Sequence, residues 1–313
     1  MSLVEIFRSL ADPSRLRIIA LLRRMELSVG EIAQVLGQSQ PRVSRHVRIL
    51  IEAGLAERRK EGSWVFLRLA EWPAAGPLFA LVDAVGRSPQ FEADHARLDA
   101  VRAERAAAAE RYFAAHAGEW DALRSLHVAE SEVEAAMARA LGRQPIGRLV
   151  DIGTGTGRML ALFGREAEAA LGIDRSPEML RLARAKLAEA GLDSAELRQG
   201  DMYALALESG SADTVIIHQV LHYAQQPGAA VAEAARLLAP GGRLLIVDFA
   251  PHDREELRQR DAHARLGFSD EAMLAYISQA GLEGRVVDHL AGGPLTVTLW
   301  MGERPSERLR AVA

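Results

Sequence analysis

The 313-residue chain contains no cysteine. Disulfide staples and thiolate-held metals are therefore excluded, and with them the chemistry that depends on either. No apolar run approaches the roughly 20 residues needed to cross a bilayer. The first residues, Met1-Ser2-Leu3-Val4-Glu5-Ile6-Phe7, lack the basic segment and apolar core of a secretory signal, so a cytoplasmic protein without a membrane partner is expected. With 49% hydrophobic and 26% charged residues the chain falls in the ordinary globular class, and its length predicts more than one core. The net charge of −4 is unevenly spread. Residues 1–70 hold 12 Lys+Arg against 7 Asp+Glu, a net of +5, which leaves −9 for the other 243. A basic small domain ahead of an acidic larger one points to a polyanion as partner for the first, and a solvated basic surface would have the same composition.

The most informative stretch is Leu149-Val150-Asp151-Ile152-Gly153-Thr154-Gly155-Thr156-Gly157-Arg158. It reads as an apolar strand running into a glycine-rich turn and then a helix, where missing side chains let a ligand approach main-chain amides. A dinucleotide-binding turn would need glycine where Arg158 stands, so the spacing favours a ligand without a pyrophosphate. A tight strand–helix corner that binds nothing has the same local pattern. A second acid, Asp174, ends the next strand-like run, Leu171-Gly172-Ile173, and is placed to accept hydrogen bonds from two ribose hydroxyls.

These residues resemble the class I S-adenosyl-L-methionine (SAM) dependent methyltransferases. The resemblance extends through Asp174-Arg175-Ser176-Pro177-Glu178-Met179-Leu180, Gln199-Gly200-Asp201-Met202 and Leu237-Leu238-Ala239-Pro240-Gly241-Gly242-Arg243-Leu244, over about residues 145–301. It implies SAM, or S-adenosyl-L-homocysteine, bound by Asp151, Gly153, Thr154, Gly155, Gly157, Asp174, Arg175, Met179, Asp201, Met202 and His218. It also implies a lid segment from Tyr112 to Trp120, with Tyr112 on the cofactor. Plain packing is the alternative for Phe113 and Trp120.

Near the N-terminus, helices are expected at 3–11 and 14–24, broken by Asp12-Pro13, then from Ser28 to Leu36 with Gly37 as stop. A further helix follows at 40–53, capped by Ser39 and halted by Gly54. On that last helix Val43, Val47, Leu50 and Ile51 recur at spacings of three and four and turn inward. Ser39, Gln40, Arg42, Ser44, Arg45 and Arg48 are left on other faces, where Arg and Gln can read base edges and Arg and Ser can hold phosphates. Leu55–Arg59 and Trp64–Leu69 read as a hairpin with a basic tip. Residues 10–19, 40–46 and this hairpin resemble the ArsR-type winged-helix repressors over about residues 1–85. The resemblance implies a homodimer on a palindromic double-stranded DNA operator, with residues 78–85 as dimer helix. The family's thiolate sensors place cysteines where Glu26-Leu27-Ser28-Val29-Gly30-Glu31 stands here; Asp94 and His95 match the Asp/His sensors only as a pair expected to be solvated, so no metal is assigned.

The expected organisation is a winged helix-turn-helix domain at 1–86, a helical connector and lid at 87–144, including a long helix from Phe91 to Ala117, and a Rossmann-like α/β domain at 145–313. Helix and strand alternate past Asp174: helix 176–189, strands 195–199 and 213–217, helix 228–238, strand 243–249, helix 269–280, a terminal hairpin at 285–288 and 295–301, and a frayed tail from 302. Methyl transfer from a sulfonium needs alignment more than a catalytic motif, so catalytic residues stay unassigned, with His222 and Tyr223 as candidates after the fourth strand. Backbone-satisfied histidines would fit there as well. Three functions are compatible with these parts: a DNA-binding regulator that takes SAM or its product as effector, a methyltransferase that also binds DNA, and a small-molecule methyltransferase whose winged helix serves only dimerisation.

Overall fold

The computed structural model describes residues 3–61, 64–70, 89–116, 129–192, 194–291 and 293–306. Contacts divide the chain into two units, Met1–Ala108 and Ala109–Ala313.

In the first unit, α1 (Leu3–Leu10), α2 (Pro13–Leu22), α3 (Val29–Leu36) and α4 (Gln40–Glu52) pack with a three-stranded antiparallel sheet. Its strands are β1 (Leu27–Ser28), β2 (Ala56–Glu61) and β3 (Trp64–Leu69), in the order β1-β3-β2. Asp12 caps α2 by accepting the amides of Ser14 and Arg15. Ser28 and Glu31 form a reciprocal capping box on α3, satisfying two amides that a helix start otherwise leaves open. Gly37, at φ 64°, ends α3 in the left-handed conformation that a side chain would strain. Ser39 does sit at the N-cap of α4, but its side chain makes no capping hydrogen bond, contrary to the expectation from its type. Ile18, Leu27, Ile32, Val35, Val43, Leu50 and Leu67 close the core, and Leu98 and Val101 join it from α5 (Pro89–His116).

The start of α5 is clamped to this core by charge. Asp94 accepts from both Arg17 Nε and Arg17 Nη2, and Arg97 also reaches it. Arg17 and Arg97 bond the carbonyls of Leu36 and Val35 as well, at the C-terminal turn of α3. Asp94 is thus a buried ion-pair partner, where a solvated residue was expected. The expected dimer helix at 78–85 lies outside the described residues.

The second unit is built on a seven-stranded sheet in the order β6-β5-β4-β7-β8-β10-β9, in which β10 alone runs opposite to the other strands. The strands are β4 (Arg148–Ile152), β5 (Ala169–Asp174), β6 (Glu196–Gln199), β7 (Ala212–His218), β8 (Leu238–Phe249), β9 (Glu283–Leu290) and β10 (Val297–Glu303). Helices α6 (Glu130–Leu141), α7 (Arg158–Phe163), α8 (Pro177–Glu189), α9 (Pro227–Leu237), α10 (Glu256–Arg260) and α11 (Asp270–Gln279) complete it. Two apolar clusters, one including Met137, Leu160 and Leu299 and the other Val231, Ile246 and Ile277, bury the central strands β4, β7, β8 and β10, whose runs are accordingly apolar rather than alternating. β8 begins at Leu238, earlier than expected: Leu238 pairs with Ala212 and Arg243 with Thr214, so the Ala239–Gly242 segment bulges from the ladder. Residues 302 and 303, expected in a tail, are paired in β10 against Arg243 and Leu244. Among the described residues no helix is long and apolar enough to cross a membrane.

Candidate functional site

Parallel pairing brings the strand ends of the second unit to one edge. Ile152 stands beside both Ile173 and Ile217, Asp174 beside Gln199, and His218 beside Val247. The segments that leave β4, β5, β6 and β7 at their carboxyl ends therefore lie side by side, where open α/β sheets bind ligands.

The glycine-rich turn folds there for backbone reasons. Gly153, Gly155 and Gly157 all have positive φ, at 73°, 54° and 82°. A Cβ on Gly153 would overlap the Val220 side chain, so that position admits nothing larger. The amides of Gly153 and Thr154 donate to the Ile173 carbonyl at 2.7 and 2.9 Å. Gly157 is the N-cap of α7, and Arg158 leaves the turn to form a two-point pair with Glu134 at 2.6 and 2.9 Å. Asp151 and Thr154 are buried.

Asp174 faces this turn. Its Oδ2 accepts the Gly155 amide and its Oδ1 the Ser176 amide, each at 2.8 Å. Burial pushes the carboxyl above its ordinary value, and the amide hydrogen bonds from Ser176, Gly155 and Arg175 oppose that shift. The three amides leave the carboxylate about one further acceptor position, so it can hold the turn and still take a ligand hydroxyl. A sugar diol beside a backbone cradle free of side chains fits these residues.

The remaining candidates are distributed around that centre. Arg175 is exposed, and its carbonyl accepts from Gln199 Nε2 at 3.0 Å. Met179 is buried in α8, whose N-terminus Ser176 caps. Asp201 is exposed and accepts the Tyr203 amide at 3.1 Å, with Met202 half-buried next to it. His218, buried, ends β7. His222 is buried in a 3-10 turn (Leu221–Tyr223) and Tyr223 is half-buried. The Tyr112 side chain and the lid segment at 117–120 lie outside what is described.

Sequence reasoning missed Asp248, which bonds His222; it also missed Tyr203, whose hydroxyl accepts the amides of Gln225 and Gln226 at 2.8 and 3.3 Å. Desolvation holds that phenol above its usual value. Neither is signalled by a motif, since each partner lies more than 20 residues away.

In the first unit the expected contact residues are on α4. Ser39, Gln40, Arg42, Arg45 and Arg48 are exposed and Ser44 half-buried, while Val43, Val47 and Leu50 face the core. His46 is buried as well, 3.7 Å from the Asp12 carboxylate. The α4 cations thus form an outward row on a helix anchored from behind.

Residues 12–58 match the family profile of bacterial regulatory proteins of the arsR family, and residues 150–246 that of a methyltransferase domain. The HTH-type transcriptional regulator KmtR of Mycobacterium tuberculosis is 36% identical over 104 residues, which cover 33% of this chain and 74% of that protein. A demethylmenaquinone methyltransferase of Tropheryma whipplei is 31% identical over 164 residues, 50% of this chain and 67% of that protein. The crystal structure of YcgJ from Bacillus subtilis shares the fold, with a TM-score of 0.51 at 19% identity over 56% of this chain and 100% of that one. Other curated relatives are spanned over only 33% to 58% of their length. By its N-terminal part the chain belongs to the ArsR family of bacterial regulatory proteins, and it joins that helix-turn-helix domain to a Rossmann-like methyltransferase domain.

Proposed function

We propose that the protein is a DNA-binding transcription regulator whose methyltransferase domain takes SAM or S-adenosyl-L-homocysteine, both as donor and product of methyl transfer and as effector of DNA binding. The observation that carries the ligand half is the bond from the Gly155 amide to Asp174, which fixes a carboxylate against a backbone cradle at the strand ends. The site comprises the glycine turn from Asp151 to Gly157, Asp174 with Arg175 and Met179, Asp201 with Met202, and His218; Tyr112 is assigned by the family pattern alone. SAM, when bound, supplies an electrophilic methyl group on a sulfonium. The chain's own part is to orient it: Asp174 takes a ribose hydroxyl and the glycines admit the nucleoside close to the main chain.

The DNA half rests on Arg42, Arg45 and Arg48 with Gln40, exposed on a helix whose opposite face is locked in a core. A module serving only dimerisation has no use for that row, which disfavours the purely enzymatic reading. A homodimer would supply two such helices, and Val4 and Phe7, 65% and 50% exposed on α1, are apolar side chains suited to a second copy. The three-part division at 86/87 and 144/145 is retained as part of this reading, as is a cytoplasmic site of action.

Two titrations test it. Calorimetry should show SAM and S-adenosyl-L-homocysteine binding to the full chain, and a palindromic duplex should be bound with strongly salt-dependent affinity that Arg45→Ala weakens. NAD binding with no heat from either sulfur nucleoside would contradict the ligand half, and no duplex bound at low salt would contradict the DNA half.

A further inference from the structure

A second polar cluster occupies the same edge of the sheet as the glycine turn. Asp248 is the penultimate residue of β8, and His222 lies in the turn just beyond β7. Because these strands are parallel neighbours, 26 residues of sequence close to a side-chain hydrogen bond: His222 Nδ1 to Asp248 Oδ1 at 2.8 Å, with side chains 3% and 0% exposed. Asp248 Oδ2 also accepts the His222 amide at 3.2 Å, and Oδ1 the Phe249 amide at 2.8 Å. Because Asp248 already accepts two amides, it is assigned the acceptor role toward the ring as well, which puts a hydrogen on Nδ1 and turns Nε2 away from the carboxylate. Among the described residues nothing hydrogen-bonds to that Nε2.

The His222 ring is packed among other aromatic rings. Tyr223, His263 and Phe249 stand with ring centroids 4.0, 4.3 and 5.0 Å from that of His222. The segment carrying His263 is anchored twice: the amides of Ala264 and Arg265 donate to the His222 carbonyl at 2.9 and 2.8 Å, and Arg265 Nη2 bonds the Gln225 carbonyl at 2.8 Å. Two non-glycine residues in the described chain have positive φ, Gln219 at 52° and Ala262 at 56°, and they flank this cluster. Such strain persists only where its surroundings enforce it, and it gathers at functional sites. Val220, next to Gln219, abuts Gly153, so the turn that carries His222 touches the loop assigned to the sulfonium nucleoside.

The geometry points to His222 as a general base, with Asp248 as its positioning residue, acting on an acceptor that bears a phenolic hydroxyl. This deepens the methyltransferase reading and rests on it. A thiol acceptor is partly ionised at neutral pH without help. A phenol, near pKa about 10 against about 6.5 for imidazole, is the hydroxyl whose proton a positioned histidine can share in the transition state. In the reaction His222 Nε2 takes the hydroxyl proton as the O–H bond breaks. The oxygen's electron pair forms the bond to the methyl carbon while the carbon–sulfur bond breaks and leaves its pair on sulfur. The imidazolium, neutralised by Asp248, returns its proton to water.

The test uses the full chain saturated with S-adenosyl-L-homocysteine and 4-nitrophenol as probe, whose anion alone absorbs in the visible. At a pH where the free probe is mostly neutral, the wild type should bind it with the absorbance of the anion. His222→Gln should lose that absorbance, and Asp248→Asn, which permits the other ring tautomer, should diminish it. Both variants should keep calorimetric affinity for S-adenosyl-L-homocysteine, which shows that the fold is intact. With a phenolic acceptor, kcat of His222→Gln should fall by about 100-fold or more at unchanged KM. Equal anion absorbance in wild type and His222→Gln, both still binding the nucleoside, overturns the base assignment. Failure of the wild type to bind the nucleoside overturns the methyltransferase reading beneath it.

Discussion

The two units treat charge in opposite ways. On α4 the arginines point to solvent and are held there by a core behind the helix, so their chemistry is that of a surface, additive and sensitive to salt. In the sheet unit the key carboxylates are sunk among amides, Asp174 beside Gly155 and Asp248 beside His222, so their chemistry is that of a site, specific and sensitive to single atoms. The first unit also holds a buried ion pair, Arg17 with Asp94, which the half-exposed Arg97 joins, and it serves to fasten α5 beneath the α3–α4 corner. Burial, more than residue type, decides whether a charge here contacts a partner, prepares a ligand site or fastens the fold.

The sharpest way to break that contrast is Asp94→Ala. Removing one partner of a buried pair strands Arg17, and a loss of about 3–5 kcal/mol should appear in the urea unfolding of the N-terminal unit. Next is Asp174→Ala, which should weaken S-adenosyl-L-homocysteine binding by about 1–3 kcal/mol in calorimetry while ligand-free DNA binding is unchanged. The same carboxyl sets a pH dependence. Its folded value is raised by burial, so its contribution to stability is full below the unfolded value and lost as pH rises through the folded one. Ionisation of Asp174 thus burdens the ligand-free protein above that raised value. Asp174→Asn should raise the urea midpoint on the alkaline side of it, an advantage that disappears in acid, and wild-type nucleoside affinity should fall as pH drops through the raised value. Arg45→Ala should act only on the surface side, lowering the slope of log affinity against log salt by about 1 and leaving nucleoside binding untouched. Ser28→Ala, which removes half of the α3 capping box, should cost about 1 kcal/mol of unfolding free energy without altering the salt slope.

What could be read before the fold was known follows the same division. Local signals were legible: the Ser28/Glu31 box, the left-handed Gly37, and the three glycines whose positive φ the turn requires. The exposed row on α4 was legible because helical spacing alone separates it from Val43, Val47 and Leu50. Partners made by tertiary pairing were not. Asp248 meets His222 only because β7 and β8 run in register, and Asp94 meets Arg17 across 77 residues, so an acid that looked solvated is buried. β1, two residues long, carries no periodicity at all, and Ser39 has the right type and place for a cap without making its bond.

The central claim is that nucleoside binding in one unit is felt by DNA binding in the other. A coupling of about 1–3 kcal/mol would shift operator affinity by about 5- to 150-fold, and it requires the ligand to favour one DNA-binding geometry over another. The direct measurement is an operator titration of the full chain at fixed salt with no ligand, with saturating SAM and with saturating S-adenosyl-L-homocysteine. Three separated curves are expected, the two ligands differing because the sulfonium methyl and its charge distinguish them. Three superimposable curves, with calorimetry showing both ligands bound, would contradict the account and leave a DNA-binding domain and a methyltransferase joined without communication.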